Sequence, residues 1–184
     1  MKKVNLVVKE NTYKRCSWCI GDILYENYHD QEWGVPVYED HKLFESLTLE
    51  TFQAGISWIT ILRKRENFRI AFDLFDFEKV AQYDERKILS LLKNKGIIRN
   101  YKKIKASVNN ALIFIKIREK YGSFSKYIWN FVGGKPQQNG FINMEEIPVK
   151  SPLSELISKD LKKNGFQFTG PTVCLLYTSD AADE

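Results

Sequence analysis

Apolar side chains recur at intervals of three to four residues between 40 and 54, which predicts an amphipathic helix. The helix is predicted to begin at Glu39 or Asp40 and to end before Gly55, because glycine often follows the last helical turn. Glu50 lies one helical turn after Leu47 and therefore falls on the apolar face. A carboxylate is rarely buried without a partner, so Glu50 is the first candidate functional residue.

The same spacing predicts helices along most of the remaining chain, and no run of alternating polar and apolar residues predicts a strand. We therefore expect an all-α fold with a single helical domain. The stretch before residue 39 is polar and is predicted to be irregular. The further predicted helices are one capped by Ser57, one from Asp84 to Gly96, one from Asn100, a short aromatic one within 121–150, and one from Leu153 to Lys163.

Length and composition agree with one packed domain. The chain has 184 residues, of which 43% are hydrophobic and 14% aromatic. No stretch approaches the length of a membrane span, and the first residues lack the apolar run of a signal peptide, so we expect a cytoplasmic protein without a membrane partner. The three cysteines do not form an even, secreted-type framework, which fits a reducing compartment.

Positive charge is in modest excess and is concentrated in two clusters. Lysine and arginine total 28 against 23 acidic residues, a net charge of +5. This excess permits a polyanionic partner without requiring one. The clusters lie at 63–69 and 93–105. Each could equally be a solvated helix face, which charge runs usually are.

The second cluster surrounds the sequence GIIRN, which begins with Gly96. Such a short, glycine-led connection is predicted to join two antiparallel helices. Its backbone amides, next to Arg99, Lys102 and Lys103, would suit a phosphate oxygen. An ordinary helix pair with a solvated end is the alternative.

The last eleven residues, 174–184, show no helical periodicity and no apolar face. A frayed terminus would explain this pattern. The letters CLLYTSDAADE also resemble the conceptual translation of a sequencing adapter, so this tail, including Cys174, is predicted to be non-native. The predicted boundaries are an N-terminal arm at 1–12, a domain at 13–173 and the tail at 174–184.

Five longer motifs follow one another along the chain before that tail. They are RCSWC at 15–19, YHDQEWGVP at 28–36, LTLETFQAGISWITILRKRENFR at 47–69, GIIRN at 96–100 and GFQFTGPT at 165–172. With these motifs, the chain resembles the bacterial 3-methyladenine DNA glycosylase I family from Tyr13 to about Val173. The resemblance implies the all-α fold of the helix-hairpin-helix glycosylase superfamily.

The resemblance also implies an activity, the monofunctional hydrolysis of the N-glycosidic bond of 3-methyladenine in alkylated double-stranded DNA, by a monomeric enzyme. Glycosylases extrude the target base from the duplex. Tyr28 and Trp58 would form aromatic walls that attract the cationic base. Glu50 is implied as the catalytic and base-recognising carboxylate, which would accept a hydrogen bond from the amino edge of the base. Taken without the resemblance, Tyr28 and Trp58 would be ordinary core aromatics.

Two further roles follow from the matched motifs. Ile56, which comes after Gly55, is a candidate wedge for the space that the flipped base leaves. The resemblance also implies a structural zinc ion with Cys16 and His29 among its ligands. The other histidine and cysteine ligands of the family lie near its C-terminus, where this chain has no match, so we expect an incomplete zinc site. Reduced, partly buried thiols are the alternative for Cys16 and Cys19.

Two functions of other classes stay open. A non-catalytic helix-hairpin-helix DNA-binding module would keep the basic clusters, while Glu50 would be a packing residue. A zinc-stabilised interaction protein would lack affinity for nucleic acid. Release of a base distinguishes the enzyme from the first alternative, and salt-dependent DNA binding argues against the second.

Overall fold

The computed structural model describes residues 15–136, 146 and 148–174, and every regular element within these ranges is a helix. The predicted all-α class is confirmed. No helix within the same ranges combines the length and the hydrophobicity that crossing a membrane requires. The helices are α1 (Ile23–Gln31), α2 (Asp40–Gln53), α3 (Trp58–Ala71), α4 (Phe77–Val80), α5 (Glu85–Lys93), α6 (Tyr101–Tyr121), α7 (Phe124–Trp129) and α8 (Pro152–Lys163), with 3-10 turns at Asp73–Phe75 and Asn130–Val132.

Helices α2 and α6 lie side by side at the centre of an aromatic core. Phe44 of α2 packs edge-on against Phe114 of α6, with 5.3 Å between ring centroids. Phe114 in turn stacks on Phe124 of α7 at 4.1 Å. All three side chains are fully buried. Burial of each such side chain contributes roughly 1.5–3 kcal/mol, so this row of rings holds α2, α6 and α7 together.

Asp40 connects the first turn of α2 to the far end of α6. Its carboxylate accepts hydrogen bonds from Arg118 Nε at 2.7 Å and from the backbone N–H groups of Phe124 at 3.2 Å and Ser125 at 2.9 Å. Phe124 and Ser125 begin α7, so Asp40 also satisfies two N–H groups that have no partner within that helix. One side chain therefore fixes the start of α2, the end of α6 and the start of α7.

Helices α5 and α6 form the predicted hairpin. Asp84 caps α5 by accepting from the Lys87 amide at 2.8 Å, and Asn100 caps α6 by accepting from the Lys103 amide at 3.2 Å. Both predicted starts are confirmed. Helix α5 ends at Lys93, three residues before the predicted end, because Asn94 has an extended backbone and its side chain accepts from the Gly96 amide.

The turn between α2 and α3 has the backbone that its sequence predicts. Gly55 has φ +82°, a conformation that glycine adopts without strain, and the following Ile56 N–H donates to Gln53 O at 2.6 Å. Ser57 is the residue before α3, as predicted. Its hydroxyl contacts Thr60 Oγ1 at 2.8 Å and makes no hydrogen bond to the backbone of α3, so the predicted side-chain cap is wrong.

Helix α1 lies within the stretch that we predicted to be irregular, and that prediction is wrong. Tyr28 is the buried residue of α1, so no apolar stripe marks the helix in the sequence. The helix is defined by polar contacts instead. Asp22 accepts from two amides of the first turn at 3.0 and 3.2 Å, and Arg15 pairs with Asp30 in the last turn at 2.7 Å.

Cys174 is the last described residue, and its side chain is buried against the core. This burial raises the pKa of its thiol to about 12. The rest of the predicted tail, at 175–184, and the predicted arm at 1–12 lie outside the described residues. The domain boundaries therefore stay predictions.

Replacing Asp40 by alanine is expected to lower the free energy of unfolding by about 2–3 kcal/mol, because Arg118 and two amides lose a charged acceptor. Urea unfolding measures the change. The matched control is Glu39→Ala, whose side chain is 69% exposed and should matter by less than about 0.5 kcal/mol. Equal effects of the two variants would contradict the role of Asp40.

Candidate active site

Three helices contribute the residues that were predicted to contact a base. Tyr28 comes from α1, Glu50 from the last turn of α2, and Trp58 from the first turn of α3. The rings of Tyr28 and Trp58 lie 5.5 Å apart, centroid to centroid, at an angle of 54°. The two aromatic residues are thus brought together from positions 30 residues apart in the sequence.

Tyr28 and Trp58 both line a cavity of about 460 Å³. Its volume falls within the range of about 300–1,000 Å³ that is typical of small-molecule sites. Leu49 and Glu45 of α2 contribute to its wall, whereas Glu50 is not among its lining residues. The cavity therefore has an aromatic edge, and Glu50 follows its lining residue Leu49 directly in the sequence.

Glu50 is 2% exposed, which confirms the burial predicted from its helical spacing. It occupies the last turn of α2, one residue from the cavity wall at Leu49. A carboxylate at that depth is weakly screened by water, so its interaction with a cation would be stronger than at the surface.

Trp58 carries a buried polar atom. Its indole Nε1 has no hydrogen-bond partner among the described residues. A buried N–H without an acceptor is costly, by about 1–3 kcal/mol, and an acceptor atom of a bound molecule would remove that cost. Trp58 can therefore offer both a ring face and a hydrogen-bond donor.

The hairpin loop presents a different chemistry from the cavity. Arg99 is exposed, and it makes no ion pair with any residue that the structure describes. Gly96 packs tightly, since a Cβ there would lie 3.0 Å from Asn67 Cγ. The Gly96 amide donates to Asn94 Oδ1 at 2.8 Å, so it is already used within the loop. Ile56 is half-buried next to the exposed Gly55.

Lys103 requires a correction. We predicted that it would lie beside a phosphate, yet it is 6% exposed. Its ammonium donates to the carbonyl oxygens of Phe52 at 3.0 Å and Ala54 at 2.6 Å. Burial lowers its pKa from the ordinary lysine value. Of the basic residues around the loop, Lys103 thus faces the end of α2, whereas Lys102 is exposed.

The basic cluster at 63–69 is largely paired with acidic side chains. Arg65 bridges Glu32, just after α1, and Glu45 of α2, with 2.6 Å to each carboxylate. Arg69 also contacts Glu45, at 2.9 Å. We call these ion pairs of Arg65 and Arg69 with Glu32 and Glu45 the clamp, and sequence reasoning missed it. The usable signal was the arginine-rich α3, which follows a helix α2 that carries a second inward-facing glutamate, Glu45. The clamp fixes the three helices that carry Tyr28, Glu50 and Trp58.

Cys16 and His29, the two residues for which the resemblance implies zinc binding, lie next to each other in the structure. The Cys16 amide donates to His29 Nε2 at 3.3 Å, and His29 Nδ1 contacts Asp30 Oδ1 at 3.0 Å. Hydrogen bonds from Arg15 and His29 lower the pKa of Asp30 to about 2. A carboxylate behind a histidine is also a common arrangement at metal sites.

The described residues do not complete a zinc site, however. No group of three histidine, cysteine, aspartate or glutamate side chains in the described part of the chain could hold a metal ion. The whole sequence has three cysteines and two histidines. Cys19 is buried, and its thiol donates to Cys16 O at 3.1 Å. Two ligands cannot fix a tetrahedral zinc ion.

Replacing Arg65 by methionine is expected to lower the free energy of unfolding by about 1–3 kcal/mol, because it breaks a largely buried pair and leaves Glu45 with less compensation. Thermal or urea unfolding measures the change. Arg63→Met is the control, since Arg63 is 63% exposed and its pair with Asp22 should contribute no more than about 0.5 kcal/mol. Equal free energies of unfolding for Arg65→Met and Arg63→Met would contradict a stabilising role of the clamp.

The comparisons with known proteins agree with this architecture. A model of the methyladenine glycosylase family matches residues 18–180. The DNA-3-methyladenine glycosylase 1 of Escherichia coli (strain K12) is 44% identical over 161 residues, which cover 88% of this chain and 86% of that protein.

Two solved structures have the same fold. One is a crystal structure of a 3-methyladenine DNA glycosylase I, with a TM-score of 0.88 and 43% identity, covering 91% of this chain and 92% of that one. The other describes 3-methyladenine recognition by the glycosylase I of Staphylococcus aureus, with a TM-score of 0.87 and 40% identity, covering 90% and 88% of the two chains.

Proposed function

This chain belongs to the methyladenine glycosylase family, and we propose that it excises 3-methyladenine from alkylated DNA by hydrolysing the N-glycosidic bond. The observation that carries the proposal is the meeting of Tyr28 and Trp58 at the edge of one cavity, with the buried Glu50 next in sequence to the lining residue Leu49. The relatives named above act on, or recognise, the same base, which supports the proposal.

The chemistry begins with extrusion of the damaged nucleotide, because a base stacked in a duplex cannot reach a cavity. Methylation at N3 gives the adenine a positive charge. The ring faces of Tyr28 and Trp58 attract such a cation by roughly 0.5–2 kcal/mol. Glu50 accepts a hydrogen bond from the amino edge of the base, and its negative charge favours the cationic base over neutral adenine.

Bond cleavage needs little acid catalysis, because the cationic base leaves as a neutral molecule with the electron pair of the glycosidic bond. Water adds to the sugar carbon, its proton passes to the surroundings, and an abasic site remains. Positioning of the extruded nucleotide supplies much of the rate enhancement, and Glu50, held at the amino edge of the base, adds a negative potential in a site poorly screened by water. We propose that water, and not a lysine side chain, attacks the sugar carbon, as in a monofunctional glycosylase.

Binding of DNA involves the hairpin and the turn after α2. Arg99 is available to a phosphate, Gly96 allows the loop to pack closely, and Ile56 fills the space of the extruded base. We further propose a double-stranded substrate, a monomeric enzyme and a cytoplasmic location. Salt dependence of duplex binding, and sedimentation of the free protein, test the first two of these statements.

Glu50→Gln is expected to reduce the release of 3-methyladenine by about 100-fold or more, because a neutral amide loses the charge that recognises the cation. Chromatography of free bases released from methylated duplex DNA measures the rate. Glu119→Gln, at an exposed position on α6, is the control and should retain the parent rate. Undiminished release by Glu50→Gln would remove Glu50 from the site. A folded parent that binds DNA but releases no base would favour the binding module.

We also propose that the zinc site is incomplete in this chain, with Cys16 and His29 as two of its ligands. Metal analysis of protein purified in the presence of zinc should find far less than one ion per chain. A chelator should leave the melting temperature unchanged, since no ion links the ends of the fold. One zinc ion per chain that disappears in Cys16→Ser would contradict the proposal.

A further inference from the structure

Lys103 occupies a place where a lysine is unfavourable by the usual rules. It lies in the first turn of α6, where the helix dipole disfavours a cation. It is also 6% exposed, so its ammonium is largely removed from water. These two costs require an interaction that offsets them.

The offsetting interaction is at the end of α2. The carbonyls of Phe52 and Ala54, at 3.0 and 2.6 Å from Nζ, belong to the end of a helix, where carbonyls lack intrahelical donors and where the dipole favours a cation. Between them, Gln53 O accepts from the Ile56 amide. Three successive carbonyls are thus occupied, and the path of the chain into the turn at Gly55 is fixed.

Lys103 also connects the hairpin, which is proposed to bind DNA, with the turn that carries Ile56. On one side, it follows Arg99 of the hairpin loop by four residues. On the other side, the carbonyl that it holds on Ala54 is two residues before Ile56 and four before Trp58. Lys103, on the hairpin helix α6, therefore contacts the backbone just before the turn that carries the wedge residue, Ile56.

We propose that Lys103 is a positioning residue which sets the Gly55–Ile56 turn relative to the DNA-binding hairpin, so that hairpin docking on a duplex places the wedge at the target base. This inference rests on the proposed function. It assigns Lys103 no contact with the base or with a phosphate.

The test compares Lys103→Met, Lys103→Arg and the exposed control Lys116→Met on the same helix. Four quantities are measured. They are the single-turnover rate of base release from methylated duplex DNA at saturating enzyme, the affinity for undamaged duplex, the affinity for free 3-methyladenine by tryptophan quenching, and the melting temperature.

Lys103→Met should slow release from the duplex by about tenfold or more, since small misplacements of a positioning group have large effects on rate. Both affinities should stay within about twofold, because each binding surface is locally intact. Lys103→Arg keeps a cationic donor and should recover part of the rate. Lys116→Met should match the parent in all four measurements.

Three outcomes would overturn the assignment. A weaker duplex affinity with an unchanged saturating rate would make Lys103 a phosphate ligand. A parallel fall of the rate, both affinities and the melting temperature would make it a structural residue only. A parent-like rate of release from a folded Lys103→Met variant would be the third such outcome. If that variant does not fold, the arginine variant is judged by the first two outcomes. A parent chain that releases no base would overturn the proposed function itself, together with this assignment.

Discussion

The structure depends on the way in which α6 holds α2 at both ends. Asp40, in the first turn of α2, accepts from Arg118 near the end of α6, and Lys103, in the first turn of α6, donates to the carbonyls that end α2. The two helices are therefore antiparallel, with an acidic side chain at the positive end of α2 and a basic one at its negative end. The aromatic contact of Phe44 with Phe114 fills the space between these charged contacts. The candidate site is built on this pair, because α2 carries Glu50 and ends in the turn that leads to Trp58.

The structure holds a cavity open beside a packed aromatic core. The core and the cavity occupy different parts of the molecule. The fully buried phenylalanines occupy the centre of the fold, whereas the cavity lies between α1, α2 and α3 and has ion pairs in its wall. Arg65, Glu32 and Glu45 join these helices without filling the space between them. A wall made of paired charges is less able to collapse onto an empty cavity than a wall of aliphatic side chains, because collapse would bury charges in poorer geometry.

Periodicity predicted the long helices because each has an apolar face, and capping residues such as Asp84 and Asn100 predicted their starts. The burial of Glu50 followed from the same spacing. Helix α1 could not be predicted in this way, since Tyr28 is its buried residue and polar contacts define its ends. Lys103 was misplaced for a related reason. Its neighbours in sequence are basic and exposed, and its partners, the carbonyls of Phe52 and Ala54, are some 50 residues away and belong to the backbone, which leaves no trace in side-chain pattern. The roles of Tyr28, Trp58 and Glu50 came from the family resemblance and not from spacing.

The partners of Asp40 also have a consequence for the order of events during synthesis. Phe124 and Ser125 follow Asp40 by 84 and 85 residues, so the start of α2 cannot be completed until that length of chain has left the ribosome. At about 5–20 residues per second, translation of this interval takes roughly 4–17 seconds. During that time, the nascent α2 carries apolar side chains whose partners on α6 and α7 do not yet exist. Until α7 has emerged, these side chains of α2 stay exposed to water on the nascent chain.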